Sequence, residues 1–188
     1  FQNPEYAGHQ LQNYHFFVDL LMSEMSRLFY FSNLDVYFRF MPVVFSLLLG
    51  LGSYLLMTNW TGDKRAGWWA VFFTYFAGSF GYILTLIRDH KLGGESIFWV
   101  SQTQSVLGNP PHAAAFVILI AVLILLLKFF RSDFRWPVFV LIAVLGGALV
   151  EFKVYAGVLL LGGLLVVGLW ELMKRRQPRP LYLFGSTF

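Results

Sequence analysis

From Ala113 to Phe130 the sequence runs through alanine, valine, isoleucine, leucine and phenylalanine, with one charge, Lys128, near its end. The hydrocarbon core of a bilayer is about 30 Å thick and takes roughly 20 apolar residues of helix to cross. Such runs recur. Val36 to Thr58 is a second, with Arg39 near its start and Pro42 in its first turn, and Ala66 to Ile87 is a third with no charge in it. Trp136 to Trp170 is interrupted only by Glu151 and Lys153. One straight helix of that length would be about 50 Å long at about 1.5 Å per residue, too long for one crossing. Two short crossings, Trp136 to Val150 and Val154 to Trp170, fit better. The pattern predicts an all-α, polytopic helical membrane protein with five spans, at about 36–58, 66–87, 113–130, 136–150 and 154–170.

Composition agrees. Only 13% of the 188 residues are charged, against about 25% in a soluble domain, so too little polar surface exists to coat a core in water. Soluble enzymes, secreted disulfide scaffolds and disordered tails are excluded. With no cysteine there is no thiolate metal site and no cysteine nucleophile. The formal charge of +4 does not point to nucleic acid, because the basic residues sit in short clusters between apolar runs. Thr61–Arg65 has two, Lys128–Arg135 three and Lys174–Arg179 four, which makes nine of the fourteen. Loops rich in Lys and Arg are retained in the cytoplasm. Residues 1–35, 88–112 and the turn around Glu151 are then expected on the extracytoplasmic face of an inner membrane. Trp60, Trp68, Trp69, Trp136 and Trp170 fall near the cytoplasmic boundaries, where indole rings favour the headgroup layer. Glycines within the spans read as sites of close helix approach. The chain opens at Phe1 without an initiator methionine or a signal-peptide flank, as expected of a segment of a longer protein.

The outer segments carry the chemistry. On a helix over Asn13–Phe31, Phe17, Leu20, Leu21, Met25, Leu28 and Phe29 form an apolar face, with His15, Asp19, Ser23 and Ser26 as a polar stripe. This reads as an interfacial amphipathic helix, juxtamembrane, packing on the protein's own spans. His15 and Asp19, one turn apart, suit a base with its partner, a shared divalent metal ion, or two groups that only hydrate the polar face. The loop 88–112 is long, and long loops in compact domains are usually functional or disordered. Its apolar stretch Ile97-Phe98-Trp99-Val100 argues for folding back on the membrane surface, with Arg88, Asp89, His90, Lys91 and Glu95 as its charges. Glu151 and Lys153 sit where charge is costly and usually faces a cavity or a partner. Being two apart, they do not face each other on one helix. Asp19 or Asp35 is available to Lys153, and Arg39 or Arg88 to Glu151; both charges lying in headgroups is the plainer alternative.

Taken in order, four stretches resemble the GT-C class of polytopic membrane glycosyltransferases. They are Tyr14-His15-Phe16-Phe17-Val18-Asp19; Leu55-Leu56-Met57-Thr58-Asn59-Trp60-Thr61-Gly62 with Arg65-Ala66-Gly67; Phe98-Trp99 with Asn109-Pro110-Pro111-His112; and Glu151-Phe152-Lys153-Val154-Tyr155-Ala156. The resemblance implies transfer of a sugar from a polyprenyl-phosphate donor to an acceptor on the outer face. It implies an acidic residue of the first outer loop as base or metal ligand, and a first span preceding Phe1, without which the segment is expected to be inactive. Inverting sugar transfer needs a carboxylate near the acceptor hydroxyl and cations near the leaving phosphate. Asp19 and His15 are the candidates for the first role. Lys153, with Arg88 or Arg39, is the candidate for the second, and Glu151 and His90 complete the substrate-binding set. Membrane lipids and a lipid-linked sugar are the expected partners. A transporter or flippase-like protein built on Glu151 and Lys153, or a structural subunit, are the competing readings.

Overall fold

The computed structural model describes residues 16–77, 81–91, 108–131, 135–174 and 179–187. All regular elements among them are helices: α1 (Phe17–Phe29), α2 (Asn33–Thr61), α3 (Lys64–Phe76), α4 (Gly81–Asp89), α5 (Pro110–Arg131), α6 (Trp136–Phe152), α7 (Val154–Met173) and α8 (Arg179–Thr187). Three of these, α2, α5 and α7, are long and apolar enough to cross a membrane, and α6 is a shorter apolar helix. The protein is an all-α helical membrane protein. Leu47, Val144 and Leu159 are each about 60% exposed or more; lipid, as apolar as leucine, removes the penalty that water would impose on them.

α2 opens with a π-helical turn over Val36–Phe40, where the Met41 N–H reaches back to the Val36 carbonyl. The sequence explains it. Pro42 has no N–H to donate, and its ring crowds the carbonyl four residues back, so the ladder widens before it. α2 ends at Gly62, whose φ of 76° suits glycine as the left-handed residue that closes a helix. The Asp63 side chain accepts the Arg65 N–H at 2.8 Å and caps α3. The resulting hairpin is tight: a Cβ on Gly67 would stand 2.8 Å from the Tyr54 ring, and Thr74 donates to Ser53 across it at 2.9 Å.

Over the expected span from Ala66 to Ile87 the described residues form two helices, α3 and α4, neither of them among those long and apolar enough to cross a membrane. α3 stops at Phe76 and Ala77 is extended, at φ −72° and ψ 146°. The sequence that follows holds Gly78 and Gly81, each about 1 kcal/mol less favourable than alanine inside a helix.

α5 runs parallel to α2. At one end Arg131 donates to the carbonyls of Asn59 and, at 2.9 Å, Trp60; at the other, Ala113 and Ala114 pack with Val36, Met41, Phe45 and Leu49. α6 and α7 form an antiparallel hairpin broken only at Lys153, whose extended backbone (φ −163°, ψ 112°) separates them. The break falls where the over-long apolar stretch requires it. Gly157 lies against the Val150 backbone, with a Cβ there 3.1 Å from Val150 Cα. Thr61–Arg65 and the C-terminal turn of α5 at Lys128–Arg131 therefore lie at one end of the bundle, and the α6–α7 break lies at the other.

Two elements depart from the expected pattern. The sequence reading places no element past the basic stretch Lys174–Arg179, yet α8 folds back onto α6 and α7, with Leu183 fully buried and Thr187 against Gly146. Nine residues are too few for periodicity to signal burial; the notch left by Gly146 and Gly168 creates it. In α1 the buried row is Val18 and Met22, with Met25 packed beside them. Leu20, Leu21, Leu28 and Phe29 of the expected apolar face are exposed.

Candidate functional site at the α6–α7 end

α1 lies across the end of the bundle where α2 begins, α5 begins and α6 ends. Val18 and Met22 seat it on Val36, Met41 and Ala113. The Phe17 ring meets Phe152 edge-on at 5.8 Å. This packing carries Asp19, half-buried on the next position of α1, to the same end as Lys153.

On the α5 side, Asn109 caps the helix: its side chain and carbonyl accept the His112 N–H at 3.3 and 2.9 Å. That places the His112 ring beside Phe116, at 4.5 Å between centroids. His112 Nδ1 hydrogen-bonds the Tyr155 hydroxyl in the first turn of α7. The Lys153 ammonium stands 5.8 Å from the Tyr155 ring centroid, a cation–π distance, and its charge reaches the His112 imidazole. Lys153 is half-buried. A phenol, an imidazole and an ammonium thus meet where α5 and α7 begin, with the Asp19 carboxylate on α1 at the same end of the bundle.

Of the sequence candidates, Lys153 belongs to this group, and Asp19 lies at the same end of the bundle. Glu151 occupies the last turn of α6 and is exposed, and among the described residues no ion pair joins it to Lys153. Arg39 is paired with Asp35 at 2.8 Å one helical turn away, with its side chain mostly in the open. Arg88 closes on its neighbour Asp89 through Nε and Nη2 at 2.8 and 2.9 Å, which holds the Asp89 carboxyl below its ordinary pKa. His90 takes a left-handed backbone (φ 52°) at the end of α4 and is exposed. His15 lies outside the described residues, as does most of the loop 88–112, including Phe98 and Trp99. Among the described residues no three His, Asp or Glu side chains gather to hold a metal ion.

Sequence reasoning gave no role to His112 and Tyr155, although both lie in the stretches that carry the resemblance. Their pairing across 43 residues leaves no local signature. In comparisons with known proteins, no family model, curated protein or solved structure matches the chain.

Proposed function

We propose that this chain is part of a membrane glycosyltransferase of GT-C type, moving a sugar from a polyprenyl-phosphate donor to an acceptor at the α6–α7 end. The observation that carries the reading is the grouping of Lys153, His112 and Tyr155 at the end of the bundle where α1 carries Asp19. The resemblance of the four motif stretches supports it. Asp19 takes the proton of the acceptor hydroxyl as that oxygen bonds to the anomeric carbon. The bond from that carbon to the donor phosphate oxygen breaks, and the phosphate leaves with the electron pair, stabilised by Lys153. His112 and Tyr155 hydrogen-bond the sugar or the phosphate beside it. The basic connectors at the opposite end of the bundle support an extracytoplasmic location for this site, in the inner membrane.

The test is turnover of radiolabelled polyprenyl-phosphate sugars by the full-length protein in liposomes. Asp19→Asn is expected to lower the rate about 10²- to 10⁴-fold, and Lys153→Ala about 10²- to 10³-fold. Loss in Lys153→Ala alone would keep the reaction and move the base elsewhere. No turnover across a broad donor panel would overturn the reading and make transport, with Glu151 as the residue to probe, the next hypothesis.

A further inference from the structure

The opposite end of the bundle holds a second arrangement. A groove of about 430 Å³ runs between α2, α5 and α7, walled by Leu56, Trp60, Leu123, Phe130, Gly163 and Val167 among other apolar residues. Its volume falls in the range of roughly 300–1,000 Å³ typical of small-ligand sites. Beside it lies a second pocket of about 350 Å³, rimmed by three cations and lined by Asn59, Lys128, Arg131, Arg135 and Val138. Leu127 lines both. Arg131 is fixed in place, its two Nη groups donating to the carbonyls of Asn59 and Trp60.

We propose that this pair of cavities is a site for an anionic glycerophospholipid, with its phosphate at Lys128, Arg131 and Arg135 and one acyl chain in the groove. Charge and shape argue for that occupant together. In the connector from Lys128 to Arg135 three cations stand against one carboxylate, Asp133, which lies outside the described residues. Free phosphate satisfies the cations and leaves the apolar groove empty. A zwitterionic lipid fills the groove but sets its own cation against the three. An anionic lipid satisfies both parts, and basic pockets between spans are the usual receivers of such headgroups. Trp60 and Trp136 are next in sequence to Asn59 and Arg135 and are exposed, as residues at the level of lipid phosphates are. This site is separate from the proposed transferase cluster and does not depend on it.

Native mass spectrometry after equilibration with equimolar phosphatidylglycerol and phosphatidylcholine of identical chains tests it. The wild-type protein is expected to retain phosphatidylglycerol about tenfold over phosphatidylcholine, and K128Q/R135Q to lose most of that preference. G163F puts a ring into the groove at a position where a Cβ meets nothing within 4 Å, and is expected to lower retention of both lipids while keeping their ratio. A preference unchanged in K128Q/R135Q overturns the proposal. So does retention unaffected by G163F, or a preference abolished by millimolar inorganic phosphate, which would mark a simple phosphate site.

Discussion

Lys153 is where the long apolar stretch stops being one helix, and it is also the cation of the candidate site. Its extended backbone turns the chain, while its carbonyl still accepts from the Ala156 N–H at 3.0 Å, so the break leaves few backbone groups unpaired. Two residues on, Tyr155 meets His112. Each of Tyr155→Phe and His112→Phe is expected to destabilise the fold by about 1 kcal/mol, lowering the thermal midpoint in detergent by roughly 2–4 °C. The double variant should lose less than the sum, because the two share one hydrogen bond. Additive losses would sink the pairing. At this scale even a near partner went unread: the sequence offers Asp35 to Lys153 and Arg39 to Glu151, yet the two have the spacing of a helical ion pair and make one with each other. The sequence was illegible too where partners are distant, as for His112 and Tyr155.

The helices are joined by glycines used in two different ways. Gly157 sits against the Val150 backbone, whereas a Cβ on Gly162 would meet nothing within 4 Å. Gly157→Ala must therefore spread the α6–α7 hairpin, at a cost of about 1–3 kcal/mol. Gly162→Ala gains helix propensity and should be neutral or stabilising by up to about 1 kcal/mol. Thermal unfolding in detergent separates them, and equal effects would refute the close packing of the hairpin. Element boundaries followed from local rules: Pro42, Gly62, Asp63 and the length limit behind the break at Lys153. The burial of α8 and the rotation of α1 onto Val18 and Met22 did not. Both helices are amphipathic, but in α1 the apolar arc is wider than the strip that is buried, and the part that is covered depends on the neighbour it meets.

For the whole molecule, the parallel course of α2 and α5 divides the bundle into a basic end and an end carrying the candidate site. A chain without cysteine lends itself to single-cysteine labelling. In spheroplasts, a membrane-impermeant maleimide is expected to modify Glu151→Cys from outside and to reach Lys64→Cys only after the membrane is opened. The reverse pattern would invert the orientation and put the candidate site on the cytoplasmic face. Leu183→Cys, fully buried in the native fold, should resist labelling even in opened membranes until detergent unfolds the protein.

Hydropathy and helix length alone determine that this chain is helical, that it enters a membrane and roughly where each apolar helix starts. Those properties depend on summed transfer free energies and on local backbone chemistry, both of which add along the chain. Which faces meet, where α8 lies, and which polar groups share an end depend on contacts between distant segments. In a chain that is apolar on nearly every face, pattern cannot single out the buried one. Only the assembled bundle brings His112, Lys153 and Tyr155 together, with Asp19 at the same end.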